Sequence, residues 1–171
     1  MKKFLSLLMV LSLILTISSC SKDDPNMPAT VTANKTFEIT FMVGGGQPTS
    51  NSVPMNLSDF SEIGTYTKNV YKADLVPAQS ELTITGITAG GHELKGAKLS
   101  LDGTKSVLEF GNLTQDKTAT TTTDINFLQQ VANRIASNKN ASVTFSTTQS
   151  VKDISRTVPV KIKMNVIFHL K

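Results

Sequence analysis

Apolar and polar residues alternate most regularly at the C-terminal end of the chain. Every second position over thirteen residues is apolar, namely Val158, Val160, Ile162, Met164, Val166, Phe168 and Leu170. A period of two predicts a β-strand with one buried face and one solvated face. A one-residue slip would expose the whole apolar set, so the pattern also predicts a strongly specified register. Pro159, which lacks a donor N–H, suits the start or the edge of such a strand.

The same alternation predicts strands earlier in the chain. A first strand carries Phe37, Ile39, Phe41 and Val43 on one face, and the glycines at 44–46 end it. Further strands are expected at about 68–76, 79–88, 93–102, 106–114 and 141–149. Asp102-Gly103 predicts a hairpin turn between two of them, because both residues of such a turn can take positive φ.

Helical spacing occurs in one long segment, 124–138, through Ile125, Leu128, Val131 and Ile135. Thr123 or Asp124 would cap its first turn. Residues 58–65 predict a single helical turn capped by Ser58, and the polar residues 115–123 predict a surface loop. About seven strands with one inserted α-helix predict a mainly β fold, an antiparallel β-sandwich; a partly open β-barrel is the alternative.

The N-terminus follows a different pattern. Lys2 and Lys3 precede an apolar run that is shorter than the roughly 20 residues of a membrane span, and its length is typical of a signal peptide. The run ends in Ile17-Ser18-Ser19-Cys20, which resembles the lipobox of bacterial lipoproteins. This resemblance implies a signal peptide at 1–19 and a lipidated Cys20, which is the only cysteine of the sequence and so has no intrachain disulfide partner.

The residues after the cysteine carry a second resemblance. The motif Ser21, Lys22, Asp23 and Asp24 is similar to the export signal of surface lipoproteins in the phylum Bacteroidota. It implies a lipid-anchored protein of the outer membrane that is exposed at the cell surface; the periplasmic face is the alternative. Polar residues with Pro25 and Pro28 follow, so we interpret 20–34 as lipidated cysteine and flexible tether and 35–171 as a single domain.

Charge adds little to this picture once the leader is removed. The full sequence has 17 Lys and Arg against 13 Asp and Glu, and Lys2 and Lys3 lie in the leader, so 15 against 13 leaves a net charge of +2. A nucleic-acid-binding protein normally shows a strong basic patch or a recognisable motif. Neither is clear here, so we expect no nucleic-acid partner.

Candidate chemistry is sparse. His92 and His169 lie far apart in sequence without paired-ligand spacing, so we expect solvated or half-buried histidines and no metal site. The glycines at 44–46 lack the Lys-Ser/Thr ending of a phosphate loop and are interpreted as a flexible loop. No Gly-x-Ser-x-Gly elbow occurs. These observations predict no catalytic residue, no cofactor and no enzymatic activity.

Two weaker features concern the surface. Lys161, Lys163, His169 and Lys171 would form a mildly basic stripe on one sheet face, a pattern typical of a solvated face or a lysine-protected edge. Contact with anionic glycans or lipid headgroups is the alternative. Sugar binding finds little support, because the sequence has no Trp and only two tyrosines, Tyr66 and Tyr71, for which partial burial is expected.

Taken together, the leader and the strands resemble small, uncharacterised β-sandwich lipoproteins of Bacteroidota. The resemblance implies a non-catalytic binding or structural module at the outer membrane, with a surface protein or glycan as a possible partner. One alternative is a ligand- or glycan-binding component of a nutrient-capture system. Another is a hydrolase whose site is not visible in the sequence.

Overall fold

The fold is described by a computed structural model that covers residues 26–119, 121–150 and 156–171. Ten strands form two antiparallel sheets of five strands each, so the chain is a mainly β sandwich, as the alternation predicted. The sheets are separate, which distinguishes the fold from the partly open barrel. No helix in the described ranges is long and apolar enough to cross a membrane.

The first sheet is arranged around the C-terminal strand. Its order is β1-β10-β4-β7, and β3 pairs with β10 beside β4. The strands are β1 (Thr30–Val43), β3 (Val70–Leu75), β4 (Glu81–Ile84), β7 (Lys117–Ala119) and β10 (Arg156–Leu170).

The second sheet has the order β2-β8-β5-β6, and β9 pairs with β5 beside β8. Its strands are β2 (Thr49–Asn56), β5 (Leu94–Leu101), β6 (Val107–Leu113), β8 (Asn140–Thr147) and β9 (Gln149–Ser150). A four-residue helix, α1 (Ile87–Gly90), and a long helix, α2 (Thr122–Asn138), complete the regular structure with 3₁₀ turns at Leu57–Asp59, Ser61–Lys68 and Pro77–Gln79.

Strand β10 has the two faces that its period of two predicts. All seven apolar side chains from Val158 to Leu170 are buried, whereas Lys161 and Lys163 are exposed. One edge of β10 pairs with β1 from Thr30 to Val43, and the other pairs first with β4 and then with β3. Pro159 lies near the start of the strand, where its carbonyl accepts a bond from the Thr85 N–H.

The core is built from the inward faces of both sheets. Phe41 of the first sheet meets Phe145 of the second edge-to-face, with ring centroids 4.8 Å apart. Phe60, which follows the first 3₁₀ turn, packs against Phe168 at 5.1 Å. Aromatic pairs of this geometry add to the free energy of apolar burial, so these contacts tie the two sheets and the 3₁₀ segment together.

Helix α2 closes one side of the sandwich. Its buried residues are Asp124, Phe127, Leu128, Val131, Ala132, Ile135 and Ala136. The N-cap is Thr121, earlier than the residues that we expected: its backbone N–H donates to Asp124 at 2.8 Å, and the Asp124 N–H donates back to its hydroxyl at 3.4 Å. This reciprocal capping box satisfies two free donors of the first turn.

Several local predictions were wrong because tertiary contacts override local pattern. The segment 79–88 is divided among a 3₁₀ turn, the short β4 and the start of α1. The segment 115–123 contains β7, whose Ala119 is buried against β4. Strand β2 was missed because Met55 is its only buried residue.

One boundary, one helix cap and one turn also differ from the predictions. Strand β1 begins at Thr30, where it pairs with His169, so residues 30–34 belong to the sheet and not to the tether. The 3₁₀ turn at Leu57–Asp59 is capped by Asn56 and not by Ser58. In the hairpin after β5 only Gly103 has positive φ, at 71°; Asp102 does not.

The two faces of β10 predict opposite responses to substitution. Full burial of one Ile or Val side chain is worth about 1.5–3 kcal/mol, and net domain stability is only about 5–15 kcal/mol. Ile162→Asp places an unpaired charge in the core and should abolish folding. Lys163→Ala on the solvated face should change stability by less than about 1 kcal/mol. Urea unfolding followed by circular dichroism measures the stability of both variants. A larger loss of stability in Lys163→Ala than in Ile162→Asp would contradict the assigned faces.

Candidate functional site

The residues assigned to anchoring and export, Cys20, Ser21, Lys22, Asp23 and Asp24, lie outside the described ranges. What the structure shows is the point at which the chain that follows them enters the fold. The Leu170 N–H donates to the Ala29 carbonyl at 3.0 Å, so the chain enters beside the end of β10.

The two histidines occupy different environments and are not brought together. His169 is half-buried, as expected, on the outer face of the first sheet. His92, after α1, is only 4% exposed, so our expectation of a solvated or half-buried side chain was wrong for this residue. Within residues 26–119, 121–150 and 156–171, no three His, Cys, Asp or Glu side chains lie close enough to hold a metal ion.

The glycines at 44–46 and Gly91 lie in turns between regular elements. Residues 44–46 form the turn between β1 and β2, and both Gly45 and Gly46 have left-handed φ. Gly91 ends α1 in the same conformation and leads into His92. These glycines serve tight turns between regular elements.

Acidic neighbours compensate the central part of the expected basic stripe. Lys161 lies 3.8 Å from the Glu38 carboxylate of β1. Lys163 is opposite Glu81 of β4 in the strand register. Exposed pairs of this kind contribute little stability. Their effect here is electrostatic: this half of the stripe carries no net excess of positive charge.

At the end of β10 a single carboxylate, Asp74, contacts two basic side chains. The Asp74 carboxylate lies 2.8 Å from the Lys72 ammonium and 2.7 Å from the His169 imidazole. Hydrogen bonds from Lys72 first, and from His169 second, lower the pKa of the Asp74 carboxyl from its usual value. The shift has the direction expected for a carboxylate with two donors.

Two further lysines, Lys139 and Lys171, lie near the group formed by Lys72, Asp74 and His169. The Lys171 ammonium lies 5.3 Å from the centroid of the Tyr71 ring, a cation–π contact. Lys139, in left-handed conformation at the end of α2, donates to the carbonyl oxygens of Val70 and Ala136. Burial, followed by repulsion from Lys171, lowers the pKa of the Lys139 ammonium. Tyr71 is 49% exposed, contrary to the expected partial burial, whereas Tyr66 is half-buried against the core.

A concave surface lies between β6 and the first turns of α2. A cavity of about 460 Å³ follows Leu108 to Lys117 and is bounded by Thr121, Thr123 and Asp124. A second cavity, of about 440 Å³, lies beside Val107 and is bounded by Thr123, Phe127 and Gln130. Thr123 lines both, so we treat them as one feature, the edge groove.

Strand β6 presents its open backbone edge beside this groove. The Leu101 N–H donates to the Ser106 carbonyl at 3.0 Å, so these two residues form a hydrogen-bonded pair. Antiparallel pairs alternate between bonded and non-bonded types. Along β6 the following pairs are Val107 with Ser100, Leu108 with Leu99 and Glu109 with Lys98. The first and third are of the non-bonded type, so the N–H and C=O groups of Val107 and Glu109 point away from β5.

Two of the three carboxylates of the edge groove have structural roles. Asp124 accepts bonds within the capping box of α2. Asp116 accepts the backbone N–H groups of Ile87 at 2.8 Å and Thr88 at 3.0 Å. The Thr88 bond is the largest cause of the lowered pKa of the Asp116 carboxyl. Glu109, which is exposed on β6, is the carboxylate of the groove that remains for a ligand.

A separate polar cleft of about 490 Å³ lies at the end of the second sheet, and its polar lining includes Asn56, Asp102, Arg134, Asn140 and Ser142. The Asp102 carboxylate holds the hydroxyls of Ser142, at 2.6 Å, and of Thr144, at 2.9 Å. Arg134 reaches the cleft from α2. Neither this cleft nor the edge groove was identified from the sequence, because each depends on which elements the fold makes neighbours.

Comparisons with known proteins identify no family: no family model matches, and no curated protein matches. Solved structures similar to the chain include the decameric BFDV capsid protein, with 8% identity over 82% of this chain and 98% of that one, at a TM-score of 0.42. The chain is also similar to desmodium yellow mottle tymovirus, with 15% identity over 85% and 91% and a TM-score of 0.39. Turnip yellow mosaic virus has 10% identity over 84% and 83%, at 0.38. Similarity this remote carries no argument about function.

Proposed function

We propose that this chain is a lipid-anchored protein of the bacterial outer membrane, exposed at the cell surface, whose β-sandwich is a non-catalytic binding module. The observation that carries the anchor is the Ile17-Ser18-Ser19-Cys20 motif after a short apolar run. Stable membrane attachment takes two acyl chains or an equivalent second signal. A lipobox cysteine bears two or three such chains, which suits a domain held permanently at a membrane.

The edge groove supports the binding role. An open strand edge recognises an extended peptide by adding it as a further strand, with main-chain bonds for affinity and side-chain pockets for specificity. Val107 and Glu109 supply outward main-chain groups, and Phe110 and Phe127 supply apolar walls. Glu109 has Lys98 opposite it on β5 but takes no part in the capping and turn bonds that hold Asp116 and Asp124. On its open side, the favoured partner is therefore an extended peptide with a basic side chain opposite Glu109.

The cleft beside Arg134 supports a second candidate, binding of an acidic sugar. Arginine pairs with carboxylates through two parallel N–H donors, and Asn140 and Ser142 would bond sugar hydroxyls. Aromatic stacking is missing from this cleft, since its lining contains no aromatic residue among those described. We therefore place the peptide groove first.

The anchor is tested at Cys20. Cys20→Ala should remove fatty-acid label from the protein and leave an unprocessed or mislocalised precursor, because no other cysteine can accept the lipid. Cys20→Ala also leaves the described fold untouched, so the circular dichroism of the purified variant should match wild type. Metabolic labelling followed by gel separation measures the first effect. Equal label in both proteins would exclude lipidation at this residue.

Export is tested on the three charged residues after Ser21. Replacing Lys22, Asp23 and Asp24 together by Ala should keep the lipid but leave the domain facing the periplasm. Protease treatment of intact cells, with and without outer-membrane permeabilisation, measures the orientation. A wild-type domain that is digested only after permeabilisation would contradict surface exposure, provided that the purified protein is cleaved under the same conditions.

The peptide site is tested with heptapeptides displayed on phage and selected against purified protein. Val107→Pro removes an outward N–H while sparing the β5 ladder, a position where proline is tolerated, and it should abolish capture of the selected peptides. Glu109→Lys, the matched variant, should keep capture but shift the selected sequences from basic to acidic. Undiminished capture by Val107→Pro would exclude the groove.

The same assay separates the other candidates. Binding of uronate oligosaccharides that is lost in Arg134→Ala, with no peptide selected, would favour the sugar-binding role. Turnover of an ester, peptide or glycan that one substitution abolishes without unfolding the protein would contradict the non-catalytic role.

A further inference from the structure

Three exposed lysines, the half-buried Lys139 and the exposed Tyr71 cluster at the end of the sandwich where the described chain begins. We name Lys68, Tyr71, Lys72, Lys139 and Lys171 the tether-end patch. Lys68 precedes Asn69, whose side chain donates to the Lys171 carbonyl at 2.9 Å and whose own carbonyl accepts from the Lys171 N–H at 3.1 Å. These contacts place the end of the second 3₁₀ segment, the start of β3 and the end of β10 on one surface.

Acidic groups at this end are fewer than the lysines, and only Asp74 is paired with one of them. Asp74 bonds Lys72 and His169. On the 3₁₀ segments leading to Lys68, Asp59 accepts from Asn56 at 2.7 Å and Glu62 accepts from Asn34 at 3.1 Å. The lowered pKa of Lys139, caused by burial and by Lys171, is consistent with cations crowded together. Bonds from the neutral Asn56 and Asn34 leave Asp59 and Glu62 charged, so the four lysines of the patch outnumber these three carboxylates by one. The stripe along Lys161 and Lys163 has no such surplus of positive charge.

The point of chain entry coincides with the patch. Thr30 pairs with His169, and Ala29 accepts from Leu170. Nine residues lie between Cys20 and Thr30, which makes ten steps along the chain. A chain spans at most about 3.5 Å per step, so Cys20 and the first strand are at most about 35 Å apart. An anchor this near brings the entry end of the domain close to the headgroups.

We infer that the tether-end patch docks on the phosphate-bearing headgroups of the leaflet that holds the Cys20 lipid. Lysines near an anionic surface are attracted to it, and the attraction decays within a Debye length. Tyr71, half exposed with an apolar ring and a polar hydroxyl, suits the boundary between headgroups and water. The inference rests on the proposed anchor and adds the face by which the anchored domain meets its membrane.

Docking in this orientation keeps the edge groove clear of the bilayer. Helix α2 runs from Thr122, beside the groove, to Asn138, beside Lys139. Its 17 residues at a rise of about 1.5 Å give a length of roughly 25 Å. The groove at the helix start is thus separated from the patch by most of that length along the helix axis.

The test uses the full lipidated protein in vesicles of phosphatidylcholine and in vesicles that also contain phosphatidylglycerol. An amine-acetylating reagent and mass spectrometry give the reaction rate of each lysine. We expect Lys72 and Lys171 to react at least threefold more slowly on the anionic vesicles at low salt, with the difference lost at high salt. Lys98 and Lys105, exposed on the second sheet and its hairpin, should react equally on both.

A charge-reversal pair provides the matched comparison. Lys68→Glu with Lys171→Glu should remove the protection of Lys72, whereas Lys98→Glu with Lys105→Glu, which changes net charge equally, should retain it. Unchanged melting curves show that both proteins fold. Protection that persists in the first variant, or equal wild-type rates on both vesicle types, would overturn the inference.

Vesicle flotation separates this outcome from failure of the anchor. Flotation with both vesicle types and equal lysine rates overturns the docking face alone. Flotation with neither type overturns the anchor and the docking face together. Flotation with anionic vesicles only, lost on Lys68→Glu with Lys171→Glu, supports the docking face and overturns the lipid anchor.

Discussion

Pairing along both edges of β10 is the constraint on which the first sheet depends. One edge is occupied by β1 along its whole length, and the other by β4 and β3 in succession. Because the buried side chains alternate strictly, a shift of one residue would turn all of them to solvent and misalign three partners at once. The same pairing fixes Thr30 beside His169, which sets where the chain enters the domain.

The pairing of β10 also explains why one part of its outer face is electrically neutral and the other part lies beside a cluster of lysines. The outer face of β10 is neutralised by Glu38 and Glu81 where β1 and β4 flank it. At its far end the flanking strand is β3, and the carboxylate there, Asp74, serves two cations. Helix α2 joins this end to the edge groove, so the proposed membrane contact and the proposed peptide site occupy opposite ends of one rigid element. The Arg134 cleft is lined by Asn140, the residue after Lys139, so it lies nearer to the tether-end patch than the edge groove does.

The sequence predicted those elements whose burial is visible in local pattern. Strand β10, the first strand and helix α2 combine long periodicity with full burial, and each was found within a few residues. Strand β2 buries only Met55, and the short β7 buries Ala119 within a run of threonines, so neither shows an alternation to detect. The buried position of His92 and the early start of β1 arise from neighbours distant in sequence, which no local pattern encodes.

The candidate sites were less predictable than the fold for a related reason. An open strand edge is a property of strand order, and β6 resembles its interior neighbours in composition. Lys139 and Lys171 are distant in sequence, and only the packing of α2 against β3 brings them together. The resemblance to a lipobox, in contrast, was visible in the sequence because it lies in four adjacent residues, Ile17-Ser18-Ser19-Cys20.

The central claim is that β10 organises the domain, and native-state hydrogen exchange tests it most directly. If β10 is the organising strand, its amides exchange only when the whole domain unfolds, with the opening free energy that urea unfolding gives. The amides of the edge strands β2 and β6 then exchange through smaller openings. Amides of β10 that exchange at lower free energy than those of β5 and β8 would contradict this organisation.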